Sequence, residues 1–220
     1  MPSEIALDTV YLFDVDNTLL DNDSVVADLQ AHLIQTFGGA SAERYWAGFE
    51  ALRAELGYAD YLGALQRYRT DAASDPRLLG MSSFLIDYPF ASRLYPSALD
   101  VLANVARRGP TVILSDGDVV FQPRKIQRAG LWSAVEGRVL IYVHKEQMLD
   151  DLQKRYPAKH YVMVDDKLRI LTAMKAQMGD ALTTVFVRQG HYAFDAAIAE
   201  LPAADLTIER IGDLVSRELA

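Results

Sequence analysis

Two aspartates separated by one residue, Asp14 and Asp16, follow directly after a short apolar segment, Val10 to Phe13. The β-branched and aromatic residues of that segment predict a buried strand, so the two acids stand at its carboxyl end. In an open α/β sheet, ligands bind at this edge. Two carboxylates about 4 Å apart repel by roughly 4 kcal/mol at an effective dielectric near 20, so such a pair either takes up a proton or binds a cation. The spacing therefore suits a cation site after the first strand, and taken alone it equally suits a loop of solvated acids with Asn17 and Thr18 as turn residues.

A serine and a glycine-containing turn follow the next predicted strand. The apolar segment from Thr111 to Leu114 leads into Ser115, Asp116 and Gly117. A hydroxyl group followed by the backbone N–H groups of such a turn can donate hydrogen bonds to phosphate oxygens. The same residues also suit an ordinary turn, so by itself this segment is a candidate phosphate-binding element and no more.

A lysine and a second acidic pair follow two later apolar segments. Lys145 comes shortly after Val139 to Tyr142, and Asp165 and Asp166 come directly after Tyr161 to Val164. The lysine is a point cation that could neutralise a phosphate or a carboxylate. The two acids could add oxygen ligands of the kind that Mg²⁺ prefers, or they could cap the helix that follows.

The composition of the chain excludes several classes of function. Its 220 residues are half hydrophobic, which is enough for one large domain or for a core with an inserted module. Acids outnumber bases 30 to 22 without any basic run, so we expect no nucleic-acid partner and no membrane partner. The absence of cysteine excludes disulfides, thiolate catalysis and cysteine-ligated zinc. No signal peptide and no membrane-spanning run is visible, so we expect a soluble, cytoplasmic protein.

The periodicity of the apolar residues divides the chain into an inserted helical module and a core. Residues 22–90 have helical spacing and predict four short helices, which begin near Ser24, Ser41, Asp60 and Asp75. After this module, strands and helices alternate, which predicts a parallel sheet with helices on both faces. The predicted elements of the core are strands at Val10–Phe13, Thr111–Leu114, Val139–Tyr142, Tyr161–Val164 and Thr183–Val187, and helices at Ser97–Arg108, Phe121–Ala129, Glu146–Arg155, Lys167–Met178, Ala193–Leu201 and Glu209–Leu219.

The order of these features resembles the haloacid dehalogenase superfamily over nearly the whole chain. Its most specific motif, Asp-x-Asp-x-Thr, is present as Asp14, Asp16 and Thr18, and the run from Tyr95 through Ser115 also looks like the family. The resemblance implies an α/β fold, a Rossmannoid three-layer core with a parallel sheet, formed by residues 1–21 and 91–220. It also implies an all-α cap, residues 22–90, inserted after the first motif as in the helical-cap branch of phosphatases.

The resemblance also implies a role for each candidate residue. Asp14 would be the nucleophile, Asp16 the general acid/base, and Lys145 the charge that steadies the nucleophile and the phosphoryl group. The residues expected at the substrate are Thr18, Ser115, Asp116 and Gly117. The cofactor would be Mg²⁺, and its ligands would be Asp14, Asp165, Asp166 and the backbone carbonyl of Asp16.

Two departures from the family pattern are visible. Many members carry a further acid about four residues beyond the second acidic pair, where Arg169 and Ile170 stand here. Metal binding is therefore expected to depend on fewer carboxylates. Lys145 also lacks the proline that often follows it, and His144 precedes it. We interpret the histidines as structural or solvent-facing residues; they are His32, His144, His160 and His191.

The implied activity is that of a Mg²⁺-dependent phosphatase, which hydrolyses a small phosphomonoester through an aspartyl phosphate. A haloacid dehalogenase is disfavoured by Asp16, because displacement of halide from carbon needs no acid to protonate an alkoxide. A phosphomutase would differ only in the acceptor of the phosphoryl group. A receiver-like module has its acceptor aspartate after its acid pair, and a non-catalytic binder would not need this residue set. Cap residues such as Arg67 and Arg69 are candidates for substrate selection.

Overall fold

The computed structural model describes residues 7–71 and 75–217, and in these residues a parallel sheet is flanked by helices. The strands are β1 Leu7–Phe13, β2 Thr111–Asp116, β3 Val139–Tyr142, β4 Ala158–Asp165, β5 Leu182–Val187 and β6 Leu206–Ile208. The helices are α1 Asn22–Phe37, α2 Gly39–Leu56, α3 Tyr61–Asp71, α4 Arg77–Asp87, α5 Ala98–Val105, α6 Phe121–Arg128, α7 Leu131–Ala134, α8 Leu149–Arg155 and α9 Leu168–Met178. The helices α1 to α4 lie between β1 and β2, and we call them the cap helices.

The sheet has the strand order β3-β2-β1-β4-β5-β6, and all its pairs are parallel. Phe13, the last residue of β1, is paired with Ile113 of β2 and with Val164 of β4. The carboxyl ends of the three central strands therefore lie side by side, with β2 continuing three residues and β4 one residue past the partners of Phe13. From β1 the chain adds β2 and β3 on one side, and it then adds β4, β5 and β6 on the other side. An open α/β sheet forms its binding crevice at such a change of side, here between β1 and β4. The predicted α/β fold class is confirmed.

The sheet is buried on both faces, as a parallel sheet must be. Along β1 the side chains of Tyr11 and Phe13 enter one hydrophobic cluster, and those of Val10 and Leu12 enter the cluster on the opposite face. This alternation follows from the two-residue period of a strand. Because both faces are packed, the end of β1 is held in a fixed position.

The cap helices pack around an aromatic cluster. Tyr45, Phe49 and Tyr61 are buried, and the rings of Phe49 and Tyr61 stack with their centroids 4.7 Å apart. Helix α1 is capped by Asp21, whose Oδ1 accepts a hydrogen bond of 2.9 Å from the backbone N–H of Ser24. The helix therefore begins two residues before Ser24, near which its start was predicted.

The segment after β5 differs from the two helices predicted there. It forms short 3₁₀ helices at His191–Phe194, Ala196–Glu200 and Ile211–Val215, together with the edge strand β6. The apolar residues of this segment occur in runs too short for a stable α-helix, and Pro202 interrupts them. Strand β6 has three residues, too few for a period of two to be recognised. Residues 218 and 219 of the second predicted helix lie outside the described residues. Among the helices that are described, none combines the length and the apolar character needed to cross a bilayer.

Candidate active site

The structure gathers the predicted residues at the carboxyl ends of the central strands. Asp14 follows β1, and Ser115 lies near the end of β2. Asp165 is the last residue of β4, and Asp166 follows it. All four side chains are buried, as is Lys145. The backbone N–H of Asp14 continues the sheet by donating a 3.0 Å hydrogen bond to the carbonyl of Val164. The sheet register therefore fixes Asp14 between the two other polar strand ends.

Lys145 is buried against two of the acids. Its Nζ lies 2.5 Å from Asp14 Oδ1 and 2.7 Å from Asp165 Oδ2, and it donates a 3.2 Å hydrogen bond to the carbonyl of Leu114. Burial opposes the charged form of Lys145, but Asp14, Asp165 and Asp116 outweigh burial and raise its pKa above the usual value. The lysine therefore places a positive charge directly beside Asp14.

Asp14, Asp165 and Asp166 form a buried acidic cluster that Lys145 neutralises only in part. Each acid offers one oxygen, and these oxygens lie within 4.8 Å of one another. Neither carboxylate oxygen of Asp166 has a hydrogen-bond partner among the described residues. Burial, followed by Asp165 and Asp14, raises the pKa of Asp166 well above its usual value. Buried polar atoms without partners are costly, and oxygen atoms grouped in this way fit a small, hard cation such as Mg²⁺.

Asp14 contributes to the stability of the fold in a pH-dependent manner. Burial raises its pKa to about 6, Lys145 opposes the rise and Asp165 adds to it. An unfolded aspartate has a pKa of about 3.9, so between about pH 4 and pH 6 the folded chain holds this proton more tightly than the unfolded chain. This contribution stabilises the fold at low pH and is lost as the pH rises through 6.

We therefore expect Asp14→Asn to stabilise the metal-free protein near neutral pH, because asparagine is buried without charge. The melting temperature should exceed that of the wild type at about pH 7.5, and the difference should be much smaller near pH 4. Thermal unfolding in chelator at both pH values measures this. Asp180→Asn, at an exposed position, is the matched control and should change neither value. An equal effect of Asp14→Asn at both pH values would contradict the assignment.

Asp16 differs from Asp14 in that its side chain is 27% exposed and lines a cavity. Lys125 Nζ lies 2.8 Å from its Oδ1 and 3.0 Å from its Oδ2. Gln122 Nε2 donates to Asp16 Oδ2 at 3.2 Å and to Ser115 Oγ at 3.0 Å. Asp16 is thus held at the surface of the cavity, with its carboxylate available to a bound molecule.

The other residues predicted at the substrate have different environments. Thr18 is fully buried, donates to Asp14 Oδ2 at 3.4 Å and accepts from the backbone N–H of Asp166 at 3.1 Å. Thr18 therefore holds two of the acids, and it does not line the cavity. The N–H of Gly117 is already bonded to the carbonyl of Tyr142 at 2.9 Å, so it is not a free phosphate donor. Asp116 lines the cavity and accepts from the backbone N–H of Lys145 at 2.8 Å.

The turn after β1 is held by a second loop, after β5. Asn17 has a left-handed backbone, with φ of 60°. A Cβ atom on Gly190 would lie 2.4 Å from the Asn17 side chain, so only glycine fits there. Gln189 donates to the carbonyl of Thr18 at 3.2 Å and accepts from the N–H of Ile211 at 2.6 Å. These contacts fix the direction in which Asp16 leaves the strand.

A cavity of about 740 Å³ lies between the cap helices and the end of the sheet. Its walls come from both parts of the chain. The cap side includes Asn22, Trp46, Phe49, Arg53 and Tyr61, and the core side includes Asp16, Asp116, Lys125, His144, Lys167 and Tyr192. This volume suits a small molecule, and its mixed lining of aromatic and charged side chains is typical of ligand sites.

The cap arginine that lines the cavity differs from the two that were proposed from the sequence. Arg67, predicted as a substrate contact, pairs with Glu55 at 2.7 Å, and Arg69 lines a separate cavity; neither lines the large one. Arg53 lines it instead and donates to the hydroxyl of Tyr192. Position along a helix does not say which arginine faces the core.

Two of the four histidines also line this cavity. His144 lies against the loop at Gly57, and His191 is bonded to Asp23 through Nδ1 at 2.6 Å. Their interpretation as merely structural or solvent-facing residues is therefore incomplete. His160, by contrast, is bonded to Thr183 at 2.8 Å and does not line the cavity.

The fold combines two features. Acids lie between β1 and β4, where the strand order of the parallel sheet reverses, and the inserted cap helices cover a cavity at this point. Together these features define an α/β enzyme with a helical cap. The family model for haloacid dehalogenase-like hydrolases matches residues 9–177, and the chain belongs to this family. No protein with a curated description matches the chain significantly.

Solved structures agree with this assignment. A protein from Burkholderia xenovorans LB400 described as a haloacid dehalogenase-like hydrolase is 68% identical, with a TM-score of 0.91 over 96% of this chain and 99% of that chain. An L-2-haloacid dehalogenase from Xanthobacter autotrophicus is similar in fold, with 18% identity and a TM-score of 0.58 over 95% of this chain and 97% of that chain. A hydrolase of the same family from Bacillus subtilis, bound to magnesium, has 15% identity and a TM-score of 0.61 over 96% of this chain and 97% of that chain.

Proposed function

We propose that this hydrolase is a Mg²⁺-dependent phosphatase that cleaves a small phosphomonoester through an aspartyl phosphate on Asp14. The observation that carries the proposal is that a buried acidic cluster occurs together with a further aspartate, Asp16, at the cavity surface. The cluster offers oxygens to a cation, and Asp16 offers an acid/base group to a leaving group. Phosphoryl transfer needs both functions.

The first step is the attack of a carboxylate oxygen of Asp14 on phosphorus. A bond forms between this oxygen and phosphorus, and the bond from phosphorus to the leaving oxygen breaks. A proton passes from the Asp16 carboxyl group to the departing alkoxide. Lys145, whose Nζ is 2.5 Å from Asp14 Oδ1, fixes the orientation of the nucleophile and offsets negative charge as the phosphoryl group arrives.

The second step returns the enzyme to its starting state. Asp16, now ionised, takes a proton from a water molecule that attacks the phosphorus of the acyl phosphate. The bond between phosphorus and Asp14 breaks, and phosphate leaves. Mg²⁺, held by Asp14, Asp165, Asp166 and the backbone carbonyl of Asp16, would offset the charge that a phosphate dianion brings to this acidic site.

A dehalogenase is the main alternative, because a structural neighbour is an L-2-haloacid dehalogenase. At 18% identity this likeness concerns the fold alone. Displacement of halide by a carboxylate releases a weakly basic anion that needs no proton, so Asp16 would have no task. It also brings no dianion that a cation must offset, so the unpartnered oxygens of Asp166 would have no cation to bind.

The remaining alternatives use the same residues differently. A phosphomutase would pass the phosphoryl group from Asp14 to a second hydroxyl group of the substrate instead of to water. A receiver-like module would not require a cavity of about 740 Å³ beside Asp16. A non-catalytic binder could use the same cavity, but it would not require an acid/base group at Asp16. The cavity therefore favours a small-molecule ligand, and Asp16 favours a reaction on it.

A comparison of two reactions tests the proposal. The purified protein is incubated with aryl and alkyl phosphomonoesters and, separately, with L-2-chloropropionate, each with and without Mg²⁺. We expect release of phosphate that depends on Mg²⁺ and no release of chloride. Release of chloride without release of phosphate would overturn the proposal in favour of the dehalogenase.

Arg53 is expected to take part in substrate selection, because it is the cap arginine that lines the cavity. Arg53→Ala should change the ratio of kcat/KM between a charged and an uncharged leaving group by about tenfold or more, the usual worth of a hydrogen bond to a charged group. The matched control is Arg67→Ala on the same cap, which removes a pair with Glu55 outside the cavity. Equal losses on every substrate with Arg53→Ala would indicate damaged closure instead of altered selection.

A further inference from the structure

Lys125 is a buried lysine that the reaction described above does not use. It lies on α6, a core helix, and its side chain is 1% exposed. Its ammonium group meets three oxygens, namely Asp16 Oδ1 at 2.8 Å, Asp16 Oδ2 at 3.0 Å and Asn22 Oδ1 at 3.0 Å. An ammonium group has three protons, so this set of acceptors satisfies it completely.

The position of Lys125 on its helix is unusual for a lysine. Phe121, Gln122, Lys125 and Ile126 are all buried, and the spacing of these residues places them on one face of α6. That face would normally be apolar. A lysine is rarely buried without a partner, and here both polar residues of the face point to the same carboxylate, Asp16.

Asp16 has few other means of holding its orientation. It follows β1 after two intervening residues, and its side chain is partly exposed to the cavity. A carboxylate at this point could turn toward the cavity, toward the acidic cluster or toward solvent. Lys125 contacts both carboxylate oxygens of Asp16, and Gln122 contacts Oδ2. These contacts select one of the three orientations.

We propose that Lys125 is a positioning residue for the reaction, which holds Asp16 in the orientation needed for proton transfer and links it to the cap through Asn22. This inference rests on the proposed function, because it assigns Lys125 a task only if Asp16 acts as acid and base. Asn22 is the first residue of α1, so the same ammonium group touches the acid/base residue and the start of the cap. Displacement of α1 would therefore disturb Asp16 as well.

A double-mutant cycle with Lys125→Met and Asp16→Asn tests the inference. Methionine keeps most of the apolar stem and removes the ammonium group. In the otherwise wild-type protein, Lys125→Met should lower kcat on an activated aryl phosphate by roughly 10- to 100-fold, the scale of loss caused by a misplaced catalytic group. In the Asp16→Asn background the same change should cost no more than about twofold, because the group that Lys125 positions is already absent.

A purely structural lysine would give a different result. Lys125→Met would then lower kcat by a similar factor in the wild-type and Asp16→Asn backgrounds, and that outcome would overturn the inference. An unchanged kcat for Lys125→Met alone would also overturn it, and so would an effect on KM alone, which would indicate contact with substrate. Failure of the proposed function is recognised separately, because the wild-type protein would then not hydrolyse the aryl phosphate, or Asp16→Asn by itself would retain the wild-type rate.

Folding and charge are controlled with two further variants. Lys125→Gln keeps one hydrogen-bond donor for Asp16, so it should lose less rate than Lys125→Met, and it serves as the second variant if methionine prevents folding. A greater loss with glutamine would contradict the inference. Lys175→Met removes another lysine in an ion pair, 2.9 Å from Asp205 and away from the cavity, and should leave kcat unchanged.

Discussion

Removal of divalent cations is expected to abolish phosphate release, and Asp166→Asn is expected to raise the Mg²⁺ concentration needed for half-maximal activity. The reason is that Asp14, Asp165 and Asp166 are buried together, and the cavity must also accept a phosphate dianion. Without a cation to offset them, these charges repel one another strongly in a site of low dielectric. Both oxygens of Asp166 lack a partner among the described residues, so this acid is the one most dependent on the cation.

The size of the Asp166 effect follows from the small number of ligands. Ile170 stands where many relatives are expected to carry a further acid, so this position offers no carboxylate that could replace Asp166. We expect the half-maximal Mg²⁺ concentration to rise by about tenfold or more, as for other groups that support a metal site. Titration of activity with Mg²⁺ measures it, and Asp180→Asn, at an exposed position, is the matched control. An identical titration for Asp166→Asn and the wild type would show that Asp166 is only a helix-terminal residue.

The substitution Asp16→Asn is expected to lower turnover by roughly 10²- to 10⁴-fold, the usual worth of general acid/base catalysis. Asparagine keeps the shape of the side chain but can neither give a proton to the leaving group nor take one from water. The loss should be greater for an alkyl phosphate than for an activated aryl phosphate, because the alkoxide needs the proton more. Steady-state kinetics on both substrates measures the difference. A wild-type rate on the alkyl ester would show that Asp16 is neither acid nor base.

Much of the fold follows from patterns that are local in the sequence. The strand before Asp14, the glycine-containing turn after Ser115 and the acids after β4 are all recognisable because strand ends are marked by an abrupt change from apolar to polar residues. Parallel topology then places these ends at one edge. The strand order, with β1 beside β4, was needed to show that the two acidic groups meet.

The parts of the site that the sequence does not predict depend on contacts between distant segments. Lys125 reaches Asp16 from 109 positions away, and Arg53 reaches Tyr192 from 139 positions away. No local pattern records such a pairing. The buried face of α6 did contain a signal, because a lysine stood between Phe121 and Ile126 on a face that should be apolar. Thr18 was expected at the substrate because of its motif, and its burial and its contacts with Asp14 and Asp166 could be seen only in the structure.

The central claim, that Asp14 carries a phosphoryl group during the reaction, is tested most directly by intact-mass analysis of Asp16→Asn. The variant is incubated with an activated aryl phosphate and Mg²⁺, then quenched in acid. Because the second step should be slowed more than the first, we predict one added phosphoryl group, which hydroxylamine removes as it does from an acyl phosphate. The double variant with Asp14→Asn should show no addition. Phosphorylation that persists without Asp14, or turnover of Asp16→Asn without any phosphorylated enzyme, would contradict the account.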